Sequence, residues 1–113
     1  MSNKFNFKAD SSSKTLFINV RGSFTEEDGK AYIAEYINQV KAIDAKSYKL
    51  FLDCTELNVT SQDLSAMLQG CFEMYKNDGF INVQAKIINN AVLKMQLNRL
   101  AKNVGLANFE VVS

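Results

Sequence analysis

The sequence predicts an α/β fold on three observations. Short segments alternate apolar with polar residues, amphipathic stretches of helical period lie between them, and capping residues or glycines stand where one pattern gives way to the next. With 113 residues, 47% of them hydrophobic, the chain can bury one real core and has no room for a second, so residues 1–113 read as a single domain.

Phe5, Phe7 and Ala9 alternate with Asn6 and Lys8, and after the polar stretch from Asp10 to Lys14, Leu16, Ile18 and Val20 alternate with Phe17, Asn19 and Arg21. These two strands predict a hairpin that Gly22 closes. Thr25, with Asp28 three residues later and Glu26 and Glu27 between, is a capping-box start whose acids complement the helix dipole. The helix it opens carries Ile33, Tyr36, Ile37, Val40 and Ile43 as one apolar stripe. Leu50, Phe51 and Leu52 form the next strand. A polar connection through Thr55, Asn58, Thr60, Ser61, Gln62 and Asp63 comes after it, and then Leu64, Met67, Leu68, Cys71, Phe72 and Tyr75 recur at helical spacing up to the stop at Asn77, Asp78 and Gly79. Val83, Ala85 and Ile87 make a further alternating strand. Asn89 or Asn90 caps a third helix bearing Leu93, Leu97, Leu100, Ala101 and Val104, which Gly105 ends, and Phe109 to Val112 is the last strand.

The order is β-β-α-β-α-β-α-β, which predicts a mostly parallel sheet with an antiparallel N-terminal strand, since strands separated by helices pair in parallel through right-handed crossovers. Strands buried on both faces read as continuous apolar runs, whereas these alternate, so the helices are expected mainly on one face. Leu16, Ile18, Val20, Leu50, Leu52, Val83, Ala85 and Ile87 should meet them, with Asn19, Arg21, Gln84 and Lys86 on the opposite side.

Several chemistries have no residues to run them. The chain has no histidine, which removes the commonest general base and metal ligand, and its five glycines never fall in a phosphate-loop spacing. No metal, cofactor or catalytic residue is expected. The net charge of +1 gives no general pull toward nucleic acid or an anionic membrane, although from Gly79 onward Lys86, Lys94, Arg99 and Lys102 face only Glu110. Neither a signal peptide nor a stretch of the ~20 apolar residues needed to span a bilayer is present, so the expected location is cytoplasmic. Cys54 and Cys71 lack CxxC spacing and read as reduced structural thiols. Asp53, at the carboxyl end of the central strand, reads either as a turn-capping aspartate or as a functional acid.

The central strand, its polar turn and the hydroxyls Thr60 and Ser61 at the start of the following helix resemble the STAS domain, the module of bacterial anti-sigma-factor antagonists and of sulfate-transporter tails. The resemblance covers nearly the whole chain in element order. It implies a βα superhelix and a non-catalytic signalling function, in which a serine at this helix start is phosphorylated by a partner kinase and switches a protein interaction. Ser61 holds the matching position. With Leu64 set on the family's leucine, the motif's aspartate becomes Thr60 and its glycine Asp63, the turn is one residue shorter, and the helix that commonly follows the last strand is missing.

Residue chemistry adds two readings of its own. Thr60 with Asp63 satisfies a capping box, so Thr60 reads as the helix cap or as the alternative phosphorylation site, and Ser61 either as a solvated hydroxyl or as the phosphorylated residue, with Asp63 opposing an added phosphate. On the flank of the helix, Asp63, Ala66, Met67, Gly70 and Met74 line one strip. An interior glycine costs about 1 kcal/mol relative to alanine, so Gly70 implies close approach, either of a docking partner or of a neighbouring helix of the same chain. The expected function is therefore regulatory protein interaction, with a serine kinase or other signalling regulator as partner. The alternative is a domain of similar fold that binds a small molecule, a lipid or an anion.

Overall fold

The computed structural model describes residues 4–57, 62–88 and 90–112 and, of residues 62–65, the backbone. Thr60 and Ser61 lie outside the described residues. The elements run β1 (Phe5–Asp10), β2 (Thr15–Gly22), α1 (Glu26–Lys41), a short 3-10 helix (Ala45–Ser47), β3 (Lys49–Leu57), α2 (Gln62–Asp78), β4 (Asn82–Lys86), α3 (Ala91–Val104) and β5 (Phe109–Val112). The five strands form one mixed sheet in the order β1-β2-β3-β4-β5, antiparallel between β1 and β2 and parallel elsewhere.

Local chemistry sets the joints. In the hairpin, Asp10 accepts hydrogen bonds from the Ser12 amide (3.0 Å) and hydroxyl (2.7 Å), and Lys14 takes a left-handed φ of 50°. The capping box of α1 is present: the Asp28 amide donates to Thr25 Oγ1 and the Thr25 amide donates to Asp28 Oδ2. Lys4 Nζ, 2.7 Å from the same carboxylate, ties the entry of β1 to the start of α1. Asn90 caps α3 through the amides of Val92 and Leu93, and the chain turns left-handed at Gly105. Gly79 plays the same part after α2. The 3-10 helix, absent from the sequence-based order, is held by the Ser47 hydroxyl donating to Asp44.

All three helices meet one side of the sheet. Leu16, Ile18, Val20, Leu50, Leu52, Cys54, Val83, Ala85 and Ile87 are buried there in one cluster with Tyr32 and Tyr36 of α1, Cys71, Phe72 and Tyr75 of α2, and Leu93, Leu97 and Ala101 of α3. Arg21, Asn19, Gln84 and Lys86 are half-buried or exposed on the other side. One expectation for α1 is corrected. Ile37 is 43% exposed, while Tyr32 is buried and stacks its ring on Tyr36. The inward face follows Tyr32 and Tyr36, four residues apart, and Ile37 stands about 100° round from Tyr36.

β3 carries one irregularity, at the end that leads toward α2. Asn19 pairs with Asp53, but Arg21 pairs with Glu56, so Cys54 and Thr55 together oppose Val20. This is a β-bulge. Asp53 Oδ1 accepts from the Thr55 amide (3.1 Å) and hydroxyl (2.7 Å), which stabilises the extra residue.

Candidate functional site

Because β2, β3 and β4 are parallel, the segments leaving their carboxyl ends gather along one edge of the sheet, where α/β folds commonly bind. Among the described residues that edge comprises residues 23–25, the end of β3 at Leu57 and residues 87–88. Asp53 sits one pair before the bulge. Burial raises its pKa, but the Thr55 hydrogen bonds and those from Asn19, with Lys86 nearby, outweigh that and hold it below the usual value. Its role is local: it lies inside β3 and holds the bulge at Thr55, so it does not cap a turn as the sequence suggested.

The helix α2 is anchored on two sides. The hydroxyls of Tyr32 and Tyr75 share a hydrogen bond of 2.6 Å, and Tyr36 Oη donates to Asp78 Oδ2 at 2.6 Å, which fixes α2 against α1. Burial pushes the pKa of Tyr32, Tyr36 and Tyr75 upward, so all three stay neutral. Phe72 packs its ring 5.1 Å from that of Phe109 on the other side.

The expected docking strip divides across this anchored helix. Ala66 and Gly70 are exposed, and a Cβ at Gly70 would meet nothing within 4 Å. Met67 is half-buried and lies over Gly29 of α1, where a Cβ would overlap its Sδ and stand 2.7 Å from its Cε. Met74 is half-buried against the core. Close approach of a neighbouring helix therefore occurs at Gly29, a residue that spacing along the sequence does not mark. The side chain of Asp63 lies outside the described residues.

A second group lies at the same edge, just before and on the first turns of α3, which packs beside α2. Ile88, Val92 and Met95 are 66%, 62% and 62% exposed, the three most exposed large apolar side chains among the described residues. Val92 and Met95 point away from the Leu93 and Leu97 face that packs inward. The start of α3 holds more apolar residues than one stripe can bury, which marks a surplus there without showing which of them is exposed. Lys94, Arg99 and Lys102 are exposed on the same helix, which contains no acid. The arrangement can dock an apolar surface with acidic flanks.

Between sheet and helices lies a small apolar cavity of about 40 Å³, lined by Val20, Leu52, Cys54, Cys71, Ala85 and Leu97 among others. Burial lifts the Cys54 thiol to about 12, with Asp53 adding to it, and lifts Cys71 to about 11 against a hydrogen bond from Tyr75. Both thiols are free, buried and protonated, and so poorly suited to nucleophilic or metal chemistry. Among the described residues no group of three Cys, Asp or Glu is placed to hold a metal ion, and no helix is long and apolar enough to cross a membrane. No protein-family model matches the chain, and no curated protein matches it either.

Proposed function

We propose that this chain is a cytoplasmic, non-catalytic regulatory domain of STAS type that docks a signalling protein, a serine kinase or another regulator, along the carboxyl edge of its sheet. The observation that carries this reading is the exposure of Ile88, Val92 and Met95, which leave the carboxyl end of β4 and open α3. Apolar side chains scattered singly need no explanation, whereas three within eight residues of the chain, at the edge where α/β folds bind, fit an interface. Gly70 supports it, because among the described residues no group comes within 4 Å of a Cβ at this glycine, which weakens its own helix. Ser61, the regulatory residue that the resemblance implies, belongs to the connection between β3 and α2, so a phosphate on it would change the charge a partner meets.

The test is recovery of a partner from the native host by the tagged chain, with a Val92→Asp, Met95→Asp double variant in parallel. A protein enriched on the wild type and lost on the double variant is the expected result. Equal recovery on both, or no enriched protein on either, would contradict the reading. Mass spectrometry of the same material should find phosphate on Ser61, and Ser61→Asp should change partner recovery relative to Ser61→Ala.

The cavity favours a second reading, the binding of a small uncharged apolar molecule. Its described lining carries no charged side chain that would hold an anion, and about 40 Å³ is far short of an acyl chain. A rise in melting temperature with small hydrocarbons, abolished by Ala85→Leu, would support that reading, and no rise with any of them would count against it.

A further inference from the structure

The face of the sheet turned away from the helices is covered by no element among the described residues, and its register is fixed by the strand pairing. One row across it runs Lys8, Phe17, Phe51, Gln84 and Glu110. At its centre the rings of Phe17 and Phe51 meet edge to face, centroids 5.7 Å apart, with Phe17 38% exposed. Lys49 stands one row before this pair, opposite Thr15, and Asp53 one row after it, opposite Asn19. An aromatic centre with a polar surround is the anatomy of a protein interface rather than of a solvated sheet face.

We infer that this face is the interface of a homodimer, with a second copy of the chain packed on it face to face and the strands of the two copies antiparallel. Charge selects the occupant. Lys8, Lys49 and Lys86 on this face are matched by Asp10, Asp53 and Glu110, and Arg21 has Glu56 beside it across the strands. A face of zero net charge exerts no attraction on a polyanion or a polycation, and its central charges, Lys49 and Asp53, lie on either side of the aromatic pair where a second copy can match them. A two-fold axis in the plane of the interface, perpendicular to the strands and through the Phe17–Phe51 row, puts Phe51 on Phe51 and Phe17 on Phe17. The same operation sets Lys49 of each copy against Asp53 of the other, twice, beside the aromatic centre, and brings like charges together only at the two rims, Lys8 on Lys8 and Glu110 on Glu110, where water screens them. The area sets the strength. Five strands at about 4.8 Å spacing and about 3.3 Å per residue give a face of about 20 by 20 Å, so two copies with their side chains bury on the order of 1,000 Å², enough for a weak and specific dimer. The dimer is independent of the docking surface proposed above, because α2 and α3 lie on the other side of the sheet.

Sedimentation equilibrium on the full chain tests it. The mass should rise from monomer to twice that value between about 1 μM and about 500 μM protein at low salt, the range in which an interface of this size associates. Phe17→Glu should raise the dissociation constant at least about 100-fold, as expected for loss of a central aromatic anchor, with far-ultraviolet dichroism unchanged and the melting temperature lowered only by the lost pairing with Phe51. Lys49→Glu, at an exposed position, should raise it about tenfold by setting a carboxylate against Asp53 of the other copy. A monomer at every concentration would overturn the inference. So would a dimer that either substitution leaves intact, since its interface would then be another surface, such as the edge of β1 or the outer side of α3.

Discussion

Gly29 and Gly70 both sit inside helices, yet the same substitution should have opposite outcomes at the two. At Gly70 a methyl group meets open space, so Gly70→Ala should stabilise the chain by about 1 kcal/mol, the helix-propensity difference, and raise the melting temperature by about 4 °C. At Gly29 the methyl displaces the end of Met67, and overpacking of this kind costs typically about 1–3 kcal/mol, so Gly29→Ala should be destabilising by about 1 kcal/mol after the propensity gain. Urea unfolding of the two variants separates the cases. If Gly70→Ala destabilised the chain, something inside it would need that glycine. Sequence spacing found the odd glycine of α2 but not that of α1, because which helix face meets a neighbour is decided by the crossover geometry, not by either helix alone.

The pH dependence is a residue-scale matter as well. Asp28 is held down to about 2 by the Lys4 ammonium and the Thr25 amide and hydroxyl, against an ordinary 3.8. A depressed folded pKa contributes stability above the unfolded value and loses it as pH falls through the folded one, here between about 4 and about 2. Lys4→Met should therefore weaken stability above pH ~4 and flatten the acid limb of stability measured by urea titration. An acid limb unchanged in Lys4→Met would show that the ammonium adds nothing to the cap. This capping box was readable from Thr25 and Asp28, whereas the lysine that completes it lies 24 residues away from Asp28 and only the fold brings it there.

At the scale of elements, β3 and its bulge link the sheet to the site. Asp53→Ala removes both hydrogen bonds that support Thr55 and should cost about 1–2 kcal/mol, while Asp53→Asn, which keeps an acceptor oxygen, should cost less than half as much. Equal losses in the two variants would mean that the charge, not the acceptor, matters at this position. Alternation located the strand but could not show the bulge, since Leu52 and Cys54 keep the same apolar period on either side of Asp53. For α3, the Leu93 and Leu97 stripe, Asn90 at one end and Gly105 at the other were legible from residue types. The exposure of Val92 and Met95 was not, because an apolar residue off the main stripe can still be buried under a neighbouring helix. In α1 that ambiguity resolved the other way, with Tyr32 inside and Ile37 outside.

Across the whole molecule, alternating strands joined by capped helices were enough to predict an α/β domain with its helices on one side. Burial of Leu16, Leu50 and Val83, each 0% exposed, shows where that side lies. The same packing encloses both thiols. Cys54 and Cys71 should fail to react with a thiol reagent in the native protein and react fully in denaturant, and rapid native labelling of either would show that the core around the cavity opens readily. What the strand pattern could not supply is the use of the surface, because exposed residues are not constrained by periodicity. The central claim, a docking surface along the carboxyl edge and the start of α3, is tested most directly by amide hydrogen exchange on the chain, free and in complex with the partner it recovers. Slower exchange in the complex at residues 66–70 and 88–95, with β1 and the C-terminal half of α1 unchanged, is the predicted result. Protection confined to β1 or to the outer side of α1, with residues 66–70 and 88–95 exchanging as in the free chain, would contradict it.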